Sequence, residues 1–255
     1  MEATREQSMK SALVITPTTG ASVLKDAIES VQKQDYGKIE HLIVIDGEKF
    51  ADATYKTISE SNLDLNNTNL QISRLPYNTG GGGFYGHRVM AAFSHLCPHD
   101  YILFLDQDNW YEPNHVSSLI SEIERFKFDW AHSLRNIYNE KKEFVCIDNC
   151  ESLGRWPVWV KEDEHLVDSS SYCFTNSFLR LVGHIWDFGW GADRRFYMIL
   201  KNDINHKNYG CSGKFTLNYR LGGNEGSVKP DFFIQGNTVM QKKYGDKYPW
   251  STELK

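Results

Sequence analysis

A chain of 255 residues with 40% hydrophobic and 24% charged residues and a formal charge of -5 has the balance of an ordinary globular protein, long enough to bury a sizeable core. No Lys/Arg block stands out, which argues against a nucleic-acid partner, and no apolar run approaches the roughly 20 residues that a transmembrane segment needs. The five cysteines form neither a C-x-x-C pair nor a zinc spacing. As "MEATREQSMK" carries no apolar signal segment, reduced thiols and a cytoplasmic location are expected.

In chain order, "ALVIT" (12–16) predicts a short buried strand, and "TTGA" after it a turn and helix start. In "SVLKDAIESVQKQ" (22–34), Val23, Leu24, Ala27, Ile28 and Val31 fall at helical spacing. A strand at "HLIVID" (41–46), a helix near 51–60, a strand at "LQISRL" (70–75) and a helix at "GHRVMAAFSHL" (86–96) follow. "YILFL" (101–105) predicts a fourth strand, and "NHVSSLISEIERF" (114–126) an amphipathic helix with Pro113 and Asn114 at its start. Strands alternating with helices imply an α/β fold with a parallel sheet covered on both faces. After about residue 129 the rhythm changes. Residues 129–147 predict two β-rich segments around a turn, and 148–166 read as loop. "CFTNSFLRLVGHI" and "GADRRFYMILKND" suggest short helices, "KFTLNYRL" a further strand and "GGNEGSVKPD" a long loop. The expectation is one compact domain in two halves, a nucleotide-sugar-binding half over 10–128 and an acceptor or lid half over 129–255.

The apolar run ends on Asp106 and Asp108, one residue apart. Two like charges so near a core are costly unless a cation sits between them or water reaches both. Asp46 ends the second strand, so three carboxylates are expected at the edge where open α/β sheets bind ligands. A hard divalent cation takes one or two carboxylates, with water and substrate phosphates completing its shell. A solvated turn before Pro113 is the plainer reading. "GGGFYG" (81–86) formally fits G-x-G-x-x-G, but "PYNT" separates it from the preceding strand and no G-K-[ST] follows. A loop whose backbone approaches a sugar or diphosphate fits better than a dinucleotide fingerprint, and a plain loop remains open.

Taken together, "VITPTTG", "LIVIDG", "LPYNTGGGGFYGHRVMAA", "LFLDQDNWYEP" and "WDFGWGADRRF" resemble, in order and spacing, the family 2 glycosyltransferases of GT-A fold, over about residues 10–220. The resemblance implies metal-dependent, inverting transfer of a sugar from a nucleoside diphosphate sugar, a UDP-sugar by default, to a hydroxyl acceptor such as a glycan. It sets Thr16, Pro17 and Thr18 along the base, Asp46 on the base edge and Arg88 near the nucleotide. Asp106 would face ribose or metal, and Asp108 would hold the Mn²⁺ or Mg²⁺ that bridges the diphosphate in a DXD motif. The general base is expected at Asp193 in "GWGADRRF", where Ala192 replaces the usual Glu, with Asp187 in reserve. Trp186 and Trp190 are candidates to stack on an acceptor sugar or to fill the core. Many relatives supply a metal-binding His after a "YR" strand; "NYRLGGNEGS" has none across Gly222–Asn224, and His206 lies too far upstream. Two other classes remain beside this reading. A sugar-phosphate nucleotidyltransferase would need a basic Gly-rich loop where "PTTGAS" stands. A non-catalytic nucleotide-sugar or glycan-binding module would suit the altered "GAD" and the missing His.

Overall fold

The apolar run from Ala12 forms β1 (Ala12–Thr18), buried at every residue, at the centre of a computed structural model that describes residues 9–62, 69–222 and 228–251. β1 pairs in parallel with β2 (Ile39–Ile45) on one side and β4 (Tyr101–Phe104) on the other; β3 (Leu70–Arg74) adds in parallel to β2. The helices α1 (Leu24–Gln32), α2 (Ala51–Ser59), α3 (His87–Phe93) and α4 (His115–Phe126) fall in the segments expected of them. Alternation along β1 sends Val14 into a core with Leu24 and Leu119, and Ile15 into another with Met90 and Phe104. The sheet is therefore apolar on both faces, as parallel sheets are.

β1 runs two residues past the expected end, through a proline. Pro17 has no N–H to give a ladder, but β4 pairs with β1 only over Ala12–Ile15, so no ladder bond is lost on that side.

The remaining strands are β5 (Trp110–Tyr111), β6 (Trp130–Tyr138), β7 (Phe144–Ile147), β8 (Tyr172–Thr175) and β9 (Tyr209–Arg220). Among the described residues all nine join one sheet, in the order β3-β2-β1-β4-β8-β6-β9-β5, with β7 on β6. The antiparallel pairing of β8 with β4 carries the sheet across residue 128, so the two halves share one hydrogen-bonded layer. β8 occupies "YCFT", where a helix was expected; α5 (Asn176–Val182) starts only after it. α6 (Ala192–Met198) matches its expectation. α7 (Pro230–Tyr244) begins inside the segment expected as loop: Pro230 sits in its first turn, where its missing N–H costs nothing, and Phe233 and Met240 bury in a third core cluster. Residues 223–227 of that expected loop lie outside the described residues. No helix among the described residues is long and apolar enough to cross a membrane.

Candidate active site

The carboxyl ends of β1, β2 and β4 open on a cleft of about 570 Å³. Pro17, Thr18, Asp46, Asp106 and Asp108 line it from the first half; Asp168, Trp190 and Asp193 line it from the second. Gln107, the middle residue of "DQD", ties its loop to the end of β1, accepting from the Thr18 hydroxyl (2.7 Å) and the Thr19 N–H (3.1 Å). Asp46 is 2% exposed and accepts from the side chain of Asn78, the N–H and hydroxyl of Thr79 and the N–H of Gly80. The glycine run thus lies beside the cleft, with Gly80, Tyr85 and Gly86 on its wall.

Asp106 is fixed from the opposite direction. Its carboxylate accepts from the hydroxyls of Ser169 (2.8 Å) and Ser170 (3.2 Å), and its N–H donates to Ser170 Oγ (3.0 Å). Burial, then the nearby Asp168 and Asp108 carboxylates, push the Asp106 carboxyl up to about 7. Burial raises Asp108 too; its own backbone N–H and Arg220 oppose this while Asp168 adds to it. Arg220 Nε donates to the Asp108 backbone oxygen (3.0 Å), whereas no side chain among the described residues donates to the Asp108 carboxylate.

The second half supplies a charge cluster around Arg135, 2% exposed on β6. Its guanidinium pairs with Asp148 (2.7 Å), Asp168 (2.7 Å) and Glu151. Burial pushes the Glu151 carboxyl up to about 7 even with Arg135 attached. Burial opposes ionisation of Asp148 as well, but Arg135 and the N–H groups of Ser152 and Cys150 outweigh it and hold that carboxyl low. The cluster pins the strandless 148–168 segment against β6. It also sets Asp168 one residue before the serines that grip Asp106. Asp193, in the first turn of α6, accepts from the Arg194 N–H (2.7 Å); burial, then Asp168, raises its carboxyl. Trp190 stands 72% exposed at the mouth.

Four of the expected site residues stand away from the cleft. Thr16 lies inside β1 with its hydroxyl against His41 Nε2 (2.9 Å) in the core, so it does not reach the cleft. Trp186 is fully buried and stacks on Phe196 at 4.2 Å between centroids, a core ring with no face for a ligand. Arg88 and Asp187 do not line the cleft. They pair with each other on the surface (3.0 Å), and Arg88 covers the Phe84 ring. Pro17, Thr18, Asp46, Asp106, Asp108, Trp190 and Asp193 do come together. The reading from sequence missed Gln107, Arg135, Glu151, Asp168 and Arg220. Two signals were present: an arginine inside the apolar "WAHSLRNIY", and an aspartate ahead of three serines in "VDSSS".

The sequence matches the model of glycosyl transferase family 2 over residues 13–144. None of the curated proteins matches the chain. Among solved structures, the 1–349 segment of Staphylococcus aureus TarS in complex with UDP-GlcNAc is similar, with a TM-score of 0.61 and 18% identity over 91% of this chain and 66% of that one. The same segment with UDP gives 0.60 and 18%, over 91% and 65%. The mannosyltransferase PcManGT of Pyrobaculum calidifontis, in complex with GDP-Man and Mn²⁺, gives 0.58 and 12%, over 86% and 59%. The chain spans 59–66% of the length of these structures. At such identities the likeness establishes the GT-A fold.

Proposed function

Since the chain belongs to glycosyl transferase family 2, we propose that its cleft binds a nucleoside diphosphate sugar, a UDP-sugar by default, and transfers the sugar with inversion to a hydroxyl acceptor such as a glycan. The observation that carries this reading is convergence: Asp106 and Asp108 from the end of β4 and Asp193 from α6 line one cleft. TarS and PcManGT, of the same fold, are known with UDP-GlcNAc and with GDP-Man and Mn²⁺.

The charges of the cleft support metal dependence. All three arginines that line it among the described residues are ion-paired: Arg135 with its carboxylate cluster, Arg194 with Glu164 (2.9 Å) and Arg220 with Asp26. Each of these guanidinium groups is already engaged by a carboxylate of this chain, and the remaining carboxylates of the cleft would repel a diphosphate. Among the described residues no group of three His, Cys, Asp or Glu side chains is set to hold an ion. Two carboxylates suffice when nucleotide phosphates complete the shell, and Asp108, with no side-chain donor among the described residues, fits as the principal ligand beside Asp106. When bound, the ion supplies positive charge against the departing diphosphate.

The chain's own residues supply the rest. Pro17 and Thr18 form the wall along the nucleoside, and Gln107 fixes that wall to the Asp106–Asp108 loop. Trp190 offers its exposed face to an acceptor ring. Asp193 takes the acceptor hydroxyl's proton as that oxygen bonds to the anomeric carbon and the bond to the diphosphate oxygen breaks.

Two outcomes test this reading. In Mn²⁺, a UDP-sugar at a hundredfold excess over its Kd should stabilise the protein by about 2.7 kcal/mol. Asp108→Asn should lose that shift while its unliganded melting stays wild type; an unchanged shift in the mutant would remove Asp108 from the ion. The second outcome is a pH dependence. With its carboxyl pushed up to about 7, Asp106 takes up a proton progressively as pH falls below 7, and an ion must displace that proton. Nucleotide affinity in Mn²⁺ should therefore fall about fivefold from pH 7 to pH 6, and titration calorimetry should find the dependence flattened in Asp106→Asn.

A further inference from the structure

We infer that Asp46 is a positioning residue: its carboxylate builds the cleft wall formed by residues 78–86 and does not read the nucleobase, an assignment that rests on the nucleotide-binding reading above. An ionised carboxylate offers about four acceptor positions on its two oxygens. All are taken by the chain itself. Oδ1 accepts the Thr79 N–H at 2.7 Å and the Thr79 hydroxyl at 2.8 Å. Oδ2 accepts the Gly80 N–H at 2.8 Å and Asn78 Nδ2 at 3.0 Å. The Asn78 amide also donates to the Asp46 backbone oxygen at 2.9 Å, closing the link from the other side. A base N–H would have to evict one of these donors from a site that is 2% exposed.

The loop so anchored has a defined shape. Beyond Gly80 the chain folds back, with the N–H groups of Phe84 (3.1 Å) and Tyr85 (3.0 Å) both donating to the Gly80 carbonyl. Any Cβ on Gly80 would lie 1.9 Å from the Tyr85 oxygen, so only glycine fits where Asp46 grips. Gly82 and Gly83, at φ +73 and +88, form an apex on which an added Cβ would meet nothing within 4 Å. That apex lies against the segment leading to the general base: a Cβ on Gly189 would sit 3.3 Å from the Gly83 carbonyl oxygen. One step on, the His87 Nδ1–H donates to the Phe188 carbonyl (3.0 Å). Trp190 and Gly191 of that segment line the cleft and run into Asp193. Asp46 therefore orders the nucleotide end of the cleft and, through the glycine loop, the support of its acceptor end.

The test compares wild type, Asp46→Asn and Asn78→Ala. Amide hydrogen exchange is read on the unliganded protein, and UDP and CDP affinities are read in Mn²⁺. Asp46→Asn turns an amide N–H₂ toward backbone donors, so exchange over residues 79–85 should rise about tenfold or more, as expected for a lost charge-assisted bond, while β1 and α1 stay protected. UDP and CDP should weaken by the same factor, leaving their ratio unchanged. Asn78→Ala removes one donor without touching Asp46 and should shift both readouts the same way by less. Wild-type exchange over 79–85 in Asp46→Asn would overturn the assignment, as would a loss confined to one base, or tighter UDP binding in Asn78→Ala. Should wild type bind neither nucleotide, the functional reading fails, but the exchange measurement still decides the role of Asp46.

Discussion

Asp193→Asn is expected to lower turnover by about 10²–10⁴-fold while nucleotide affinity in Mn²⁺ stays near wild type, the separation that marks loss of a positioned base. The carboxylate lines the cleft from the second half, and burial followed by Asp168 raises its proton affinity. Asparagine keeps the side chain's size and its oxygen for the Arg194 N–H, so α6 should begin as before. Only the proton acceptor goes. Asp187→Asn is the control: its partner is Arg88 at 3.0 Å on the surface, outside the cleft, so turnover should hold. Single-turnover rates with saturating donor separate the chemical step from binding. The opposite pattern, Asp187→Asn inactive and Asp193→Asn active, would exchange the two roles; activity in both would place the base elsewhere.

How much of this was legible in the sequence depended on where each signal resides. The four parallel strands and their helices could be read because local apolar periodicity decides them: β1 to β4 and α1 to α4 all fall where "ALVIT", "HLIVID", "LQISRL" and "YILFL" and the segments between them predict. Asp106 and Asp108 could be read because charge directly after a buried strand is a local anomaly. β8 could not. "YCFT" carries no alternation, because Tyr172 and Phe174 enter one apolar core and Cys173 the other, and its identity comes from strand partners about 70 and 40 residues away. The same holds for Arg135: its apolar strand was visible, but the three carboxylates that justify a buried guanidinium are 13, 16 and 33 residues distant. Trp186 and Trp190 sit four residues apart with opposite fates. One packs on Phe196 and the other stands in solvent, a difference made by the turn between them that neither ring's chemistry announces. Asp46 was legible as the carboxylate that ends the second strand, but its donors at Asn78–Gly80 lie 32 to 34 residues further along the chain and no local pattern announces them.

Arg135→Ala is expected to destabilise the fold by about 3–5 kcal/mol, the cost of removing one member of a buried ion cluster and leaving its partners uncompensated. Asp148, Glu151 and Asp168 would then face one another with no cation between them, each at most 7% exposed. The deficit should depend on pH, and its sign follows from Glu151. With Arg135 present, its carboxyl is already raised to about 7, against 4.5 for an unperturbed glutamate. Between those values the folded state holds a proton that the unfolded state lacks, so this group favours folding progressively as pH falls from 7 toward 4.5. Without the guanidinium the cluster should protonate more readily still, which relieves the repulsion. Urea unfolding of wild type and Arg135→Ala at pH 8 and pH 5 should therefore show the gap between them narrowing at pH 5. Arg135→Lys should fall between the two at pH 8, because one ammonium keeps the charge but cannot bond three carboxylates with a fixed planar fork. A gap equal at both pH values would mean that lost packing against the Tyr219 and Phe233 rings, which the guanidinium also covers, outweighs the electrostatics. Wild-type unfolding of Arg135→Ala at pH 8 would mean that the 148–168 segment is held to β6 by other contacts.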